Sequence, residues 1–182
     1  MSKDFYDDFE LEHEIVPGLW MGGTHEDDVV SKPSRLPVVS ARKEFDAVVT
    51  LDSYARPFGW FVKEFRFGFV DGPLPEDHAQ ELERIADWAF VEWKAGCKTL
   101  IRCQAGLNRS GLVTGLVLLR DGKKFEEVLA LIRAKRGEYA LSNNEFMDYL
   151  QAWKAPRRRW GVNPLGRRAS PTAQSPRWCQ WS

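Results

Sequence analysis

Cysteine is scarce in this chain: Cys97, Cys103 and Cys179 are the only three among 182 residues, and none belongs to a CxxC pair or a Cys/His ligand spacing. That number and spacing indicate neither a disulfide framework nor a zinc site. Cys97 and Cys103 fall on what reads as one extended strand, which holds them about 20 Å apart, too far to pair. Cys97 therefore reads as structural, with a redox partner reached across the fold as the alternative. An excess of charge is lacking too: 26 basic residues balance 26 acidic ones, so no global field draws the chain toward nucleic acid or membrane. No apolar run reaches the roughly 18 residues of a membrane span. Residues 1–14 are acidic where a secretory leader is basic and then apolar. These absences point to an intracellular, cytoplasmic protein. Histidine is also rare, and His13, His25 and His78 match no catalytic position, whereas a Cys-His protease would need one of them beside Cys103.

What is present is the composition of a globular domain, 43% hydrophobic and 29% charged, in a chain of a length that suits one core. Glycine punctuates a short strand over 15–23, and a polar, proline-broken connection follows over 26–43. The β-branched run Val48-Val49-Thr50 places a strand over 45–51, and the alternation Phe65, Phe67, Phe69 places another over 62–70. Leu82, Ile85, Ala86, Ala89, Phe90 and Trp93 recur at helical spacing over 77–95, with Pro75-Glu76-Asp77 as start signal and Gly96 as stop. A strand over 98–102 precedes a largely apolar, buried helix over 110–120. Amphipathic helices then carry Phe125, Val128, Leu129 and Ile132, and Phe146, Tyr149, Leu150 and Trp153. The pattern predicts an α/β domain with a central mixed sheet flanked by helices.

Three segments follow: an acidic N-terminal stretch, 1–14; a domain over 15–155; and a basic tail, 156–182. No acidic residue follows Asp148, whereas Lys154, Arg157, Arg158, Arg159, Arg167, Arg168 and Arg177 are all cationic. Prolines and exposed-type composition make the tail a solvated arm, with contact to an acidic partner or nucleic acid as the alternative.

The chemistry concentrates in Ile101-Arg102-Cys103-Gln104-Ala105-Gly106-Leu107-Asn108-Arg109-Ser110-Gly111. A strand delivers a sulfur nucleophile, Cys103, to a tight loop, and a buried helix leaves the loop at Arg109 and Ser110. The N–H groups of 104–109, with Gln104, Ala105, Gly106, Leu107 and Asn108 as the substrate-binding turn, form an oxyanion cradle at a helix N-terminus. Only the thiolate is a useful nucleophile, so the site must stabilise negative charge. The helix dipole and the Arg109 guanidinium do this, and the planar fork of Arg109 also matches two phosphate oxygens. Gly106 permits a positive φ. Ser110 can donate to the sulfur as it leaves and can also N-cap the helix. Asn108 orients loop carbonyls or neighbouring side chains and has no direct chemical part. The expected reaction is phosphate-monoester hydrolysis through a cysteinyl-phosphate.

At these residues the chain resembles the cysteine-dependent protein tyrosine phosphatase superfamily, whose signature is Cys, five residues, Arg, then Ser or Thr, and within it the dual-specificity phosphatases. The likeness runs from Ile15 to about Trp153. Val16-Pro17-Gly18-Leu19-Trp20-Met21-Gly22 is similar to the branch's opening strand. Ile132-Arg133 and Leu141-Ser142-Asn143-Asn144-Glu145-Phe146 are similar to its closing helical region. The resemblance implies an aspartate general acid on a loop upstream of the cysteine, and Asp71 in Val70-Asp71-Gly72-Pro73 matches it. Asp77 competes, with a helix N-cap as its other role. The implied scheme has two steps and calls for neither metal nor cofactor: Cys103 attacks phosphorus while Asp71 protonates the leaving oxygen, and Asp71 then deprotonates the hydrolytic water. Asn143 matches an asparagine that braces the phosphate loop, and N-capping the last helix is its equal alternative. One position departs from the family, Arg102 standing where histidine is usual. A second cation favours a thiolate by charge, yet strand alternation turns Arg102 away from Cys103, toward an acidic partner.

The resemblance implies a phosphorylated protein or peptide as substrate, phosphotyrosine first because it needs the least reach, then phosphoserine or phosphothreonine. Tyr54, Arg56, Phe58 and Trp60 are the rim candidates. An RNA 5′-triphosphatase, or a phospho-binding module without turnover, is the alternative.

Overall fold

In the computed structural model, which describes residues 10–24, 44–59 and 61–154, the described residues form five strands and four helices, four strands first and the fifth between the first two helices. The strands are β1 (Glu12–Val16), β2 (Leu19–Gly22), β3 (Ala47–Thr50), β4 (Lys63–Arg66) and β5 (Thr99–Arg102). The helices are α1 (Glu76–Lys94), α2 (Arg109–Arg120), α3 (Phe125–Arg136) and α4 (Asn144–Ala152). The strands form one mixed sheet in the order β1-β2-β5-β3-β4, antiparallel only between β1 and β2. Because β2, β5, β3 and β4 run parallel, the loops leaving the C-terminal ends of β5, β3 and β4 emerge on one edge of the sheet. Open α/β sheets bind ligands at that edge.

The single strand expected over 15–23 is two. Pro17 and Gly18 break it, Gly18 taking φ 80° and donating its N–H to Glu14 Oε1 at 2.8 Å, so the chain reverses into a hairpin. β1 begins at Glu12, which brings residues 12–14 of the acidic segment into the sheet. The strand expected over 62–70 is shorter, because its neighbour β3 offers four residues and pairing stops at Thr50↔Arg66. Phe67 and Phe69 continue the alternation without a ladder. They pack on each other and on the His78 ring at 5.3 and 6.2 Å between centroids. α1 starts at Glu76 with Pro75 at the N-cap position, so Asp77 lies inside the first turn; the N-cap reading of Asp77 is corrected.

Strand alternation divides the sheet's two faces. Leu19, Met21, Val49 and Ile101 face Leu82, Ile85 and Ala89 of α1, Leu112 and Leu116 of α2, Ile132 of α3 and Phe146 of α4 in one continuous core. On the other face Phe45, Val48 and Leu100 form a smaller cluster edged by Trp20, Phe58 and Val62. Cys103 continues the Ile101 side, and Arg102 the Leu100 side. Glu83 of α1 accepts from Tyr149 Oη at 3.1 Å and Trp153 Nε1 at 3.0 Å, and it pairs with Arg120 at the end of α2. Burial and that carboxylate push the Tyr149 hydroxyl up to about 12, so it stays a neutral donor. Cys97 is buried as expected, but it is disulfide-bonded, although the number and spacing of the cysteines indicate no disulfide framework. Cys103 is a free thiol.

Leu116 is fully buried where α2 meets the sheet. Leu116→Ala is expected to cost about 2–5 kcal/mol, read as a lower urea midpoint with an unchanged slope.

Candidate active site

Cys103 is the first residue beyond β5 and is 2% exposed. Its backbone N–H donates to Gly22 O at 3.2 Å, and its carbonyl accepts from Thr24 Oγ1 at 3.0 Å, which continues the β2–β5 pairing past the strand end. The Sγ lies 3.3 Å from Ser110 Oγ. α2 begins at Arg109 with Asn108 in the N-cap position, so Ser110 is inside the helix and does not cap it. Its buried hydroxyl faces the sulfur instead.

The loop carbonyls are held from outside. Gln104 O accepts from Thr24 N at 3.0 Å, Leu107 O from Leu141 N at 3.4 Å, Gly106 O from Arg136 Nε at 3.1 Å and Ala105 O from Arg136 Nη2 at 3.4 Å. The N–H groups of 104–107 make no hydrogen bond to a described residue. A loop whose carbonyls all turn outward leaves its amides to converge on the inside, the geometry of an anion nest. Gly106 is required for that turn. Its φ is 68°, and a Cβ there would stand 2.4 Å from the Gly22 carbonyl carbon and 2.5 Å from both Gly23 N and Arg136 Nη2.

Arg136 was not among the residues picked from the sequence. It is 2% exposed, and besides the two loop carbonyls its Nη1 donates to Glu10 O at 2.9 Å, Leu11 O at 3.2 Å and His13 Nδ1 at 2.8 Å. Burial lowers its pKa, and the nearby Cys103 opposes this as a prospective negative charge. A guanidinium only donates, so His13 Nδ1 must be the acceptor and the ring neutral. Burial first, and then Arg136, lower the His13 pKa accordingly. No local signal singled out Arg136; it sits among Arg133, Lys135 and Arg136 in a last helical turn, where cations are usual.

Arg109 donates from Nη1 to Leu51 O and to Phe69 O, both at 3.1 Å, which fixes the guanidinium against the ends of β3 and the segment after β4. Its buried Nε has no partner among the described residues, a donor left over in a fork suited to phosphate. Arg102 turns to the opposite face as expected. Nε donates to Thr50 Oγ1 at 3.0 Å and Nη2 to Arg56 O at 2.6 Å; the acidic partner is Glu64, at 3.7 Å, and the guanidinium lies 4.2 Å over the Phe58 ring. Of the rim candidates, Tyr54 is exposed, Arg56 and Phe58 are tied to Arg102, and Trp60 lies outside the described residues.

Asp71 sits on the exposed segment between β4 and α1. Its Oδ2 accepts from Asn108 Nδ2 at 3.1 Å and its Oδ1 from Asn143 Nδ2 at 3.0 Å. The candidate acid is thus attached directly to the phosphate loop, whereas Asp77 lies in the first turn of α1. Asn143 takes the capping role, Oδ1 accepting from Glu145 N and Phe146 N at the start of α4, while its Nδ2 reaches Asp71 and not the phosphate loop. Its link to the loop itself is its backbone N–H on Asn108 Oδ1 at 3.3 Å. Among the described residues no group of three or more His, Cys, Asp or Glu side chains could hold a metal ion.

Fold and loop together define a class, an α/β domain with a CX5R phosphate loop between a strand and a buried helix. Comparison agrees. The structure of human DUSP28 superposes with a TM-score of 0.62 at 22% identity, over 78% of this chain and 91% of that one. Tk-PTP in its active form gives 0.61 at 25%, over 79% and 95%. In sequence, human protein tyrosine phosphatase type IVA 3 is 27% identical over 95 residues, 49% of this chain and 53% of its own length. The mouse type IVA 2 protein is 31% identical over 88 residues, 47% and 50% of the respective chains. The chain spans about half the length of the curated relatives it matches. No family model matches it. In fold the chain is similar to dual-specificity phosphatase structures, and over about half of its length its sequence is similar to protein tyrosine phosphatases.

Two outcomes are expected. Arg136→Ala leaves the Ala105 and Gly106 carbonyls without their donor, at about 1–3 kcal/mol, and weakens inorganic phosphate binding about tenfold or more in calorimetry. His13 has a folded-state pKa below its unfolded value of about 6.5, so its contribution is full above that pH and is lost as pH falls below it. The drop in urea midpoint between pH 7.5 and 5.5 should therefore be smaller in His13→Gln than in the wild type.

Proposed function

We propose that the unit from β1 to α4 hydrolyses phosphate monoesters, phosphotyrosine in proteins or peptides first, through a cysteinyl-phosphate. The observation that carries this reading is the joint placement of a free thiol 3.3 Å from a buried hydroxyl, an inward-facing amide loop closed by an anchored arginine, and a carboxylate fastened to the same loop.

In the first step the Cys103 sulfur attacks phosphorus in line. The loop N–H groups and the free edge of the Arg109 fork take the equatorial oxygens as their charge redistributes, which is the electrostatic part of phosphoryl transfer. The P–O bond to the leaving group breaks, and Asp71 gives that oxygen its proton. In the second step Asp71, now a carboxylate, removes a proton from water. The water oxygen bonds to phosphorus, and the sulfur leaves as thiolate with Ser110 Oγ donating to it. Phosphate is released, and the thiolate and the protonated acid are ready again. Arg102 takes no direct part, because its guanidinium lies on the other face of the sheet.

Phosphotyrosine suits the site because the sulfur is recessed behind the loop, and an aryl phosphate reaches furthest for its bulk. The loop contains no lysine, so a polyanionic lipid would find no added charge there.

Hydrolysis of p-nitrophenyl phosphate between roughly pH 5 and 8 tests the reading. Cys103→Ser should abolish it, and Asp71→Asn should lower kcat on phenyl phosphate about 10²–10⁴-fold, the usual weight of general acid catalysis. No turnover by the wild type would overturn the enzyme, and an unimpaired Asp71→Asn would move the acid to Asp77.

A further inference from the structure

Asn108 stands at the N-cap position of α2, and asparagine is among the best capping residues, yet its side chain makes no cap bond. Its amide is committed elsewhere. Oδ1 accepts from Ser142 N at 2.9 Å, Ser142 Oγ at 3.3 Å and Asn143 N at 3.3 Å. Nδ2 donates to Asp71 Oδ2 at 3.1 Å. One side chain of the phosphate loop therefore bridges two segments that the chain separates widely: the acid-bearing stretch after β4 and the turn into α4.

The acid-bearing stretch needs such a tie. Beyond Phe67, whose N–H donates to Thr50 O at 3.0 Å, it has no strand partner, and Val70 and Asp71 are exposed. What holds it is a short series of contacts from the loop side and from α4. Arg109 Nη1 takes Phe69 O, Asn108 and Asn143 take one oxygen each of Asp71, and Leu74 N donates to Glu145 Oε2 at 3.2 Å. Asn108 is the member that joins the carboxylate to the loop carrying the sulfur. Each Asp71 oxygen accepts one amide and retains a second lone pair, so the carboxyl can be held and still carry a proton.

We propose that Asn108 is a positioning residue that latches Asp71 over the phosphate loop, so that the proton donor and the sulfur keep a fixed relation. The inference rests on Asp71 being the general acid. Its consequence is selective: a misplaced acid slows reactions whose leaving group needs a proton and spares those whose leaving group departs as a stable anion. A loop that has merely lost its shape slows both, because attack and oxyanion stabilisation are common to all substrates.

The test is a cycle of wild type, Asn108→Ala, Asp71→Asn and the double variant on phenyl phosphate and p-nitrophenyl phosphate, with amide hydrogen exchange over 70–74. Asn108→Ala should lower kcat on phenyl phosphate about tenfold or more, as loss of an aligned geometry does, with KM little changed and a clearly smaller effect on p-nitrophenyl phosphate. In the Asp71→Asn background it should add nothing on phenyl phosphate, since the acid it positions is already gone. Exchange over 70–74 should quicken in Asn108→Ala while α2 keeps its protection. Equal losses on both substrates, additive effects in the cycle, or unchanged exchange would each overturn the latch. An inactive wild type would overturn the phosphatase reading alone, and the exchange measurement would then decide the latch by itself.

Discussion

A loop that offers its N–H groups to an anion must dispose of its carbonyls, and this constraint governs the surroundings of residues 103–109. Each carbonyl turned outward is a buried acceptor that needs a donor, and leaving one unmet costs about as much as a substantial core truncation. The fold supplies those donors from three directions: Thr24 just beyond β2, Arg136 at the end of α3, and Leu141 in the turn before α4. The backbone must also pass close to Gly22 and Gly23, which is why Gly106 has room for no side chain. The sheet order serves the same end. Placing β5 between β2 and β3 lets β2 support the start of the loop, while the end of β3 gives Leu51 O to Arg109.

Arg102 shows how alternation partitions labour along one strand. Its neighbour Cys103 faces the helical core, while Arg102 faces the opposite cluster and cannot add its charge to the sulfur's surroundings directly. What it does instead is structural. Thr50, Glu64, Arg66, Arg102 and the backbone of 55–58 form one network. Glu64 accepts from Thr50 Oγ1 at 2.6 Å and Phe58 N at 3.0 Å, and Arg66 Nη2 holds Ala55 O at 2.6 Å. A guanidinium can reach the carbonyl of Arg56 and stack on Phe58 at once, which an imidazole is too short to do. The residue that departs from the family pattern thus braces the segment carrying the rim candidate Tyr54.

Much of this was legible in the sequence, and what was not follows a physical rule. The strand, loop and helix around Cys103 could be read because local patterns specify them: a β-branched or apolar strand, a glycine in the turn, a long apolar helix. The four helices and the Arg102 direction were legible for the same reason, since periodicities of 3.6 and 2 depend on near neighbours. The length of β4 was not, because a strand ends where its partner ends and β3 is four residues long. Nor was the hairpin at Pro17-Gly18, whose two halves share one apolar pattern. Arg136 could not be found from local signals at all. Its partners lie about thirty residues away in the phosphate loop and well over a hundred residues away in β1's approach. Only the three-dimensional structure shows that this cation is buried under the loop instead of solvated at a helix end.

The same distinction explains Asn108. Read locally, an asparagine before a helix is a cap, and the cap is a contact of a few residues' range. Here the helix start forgoes it; on the proposed function the first N–H groups of α2 serve the anion site, where an oxyanion would take the place of a capping side chain. Freed from capping, the amide can do what no local residue could, joining loop, acid and the turn before α4. On the proposed mechanism, the arrangement makes the acid's position a property of the loop itself, so a shift of the loop that spoils the cradle would also displace the proton donor. Attack and protonation are then held to one geometry, and the site has no need of a long, well-packed strand beneath Asp71 to keep them together.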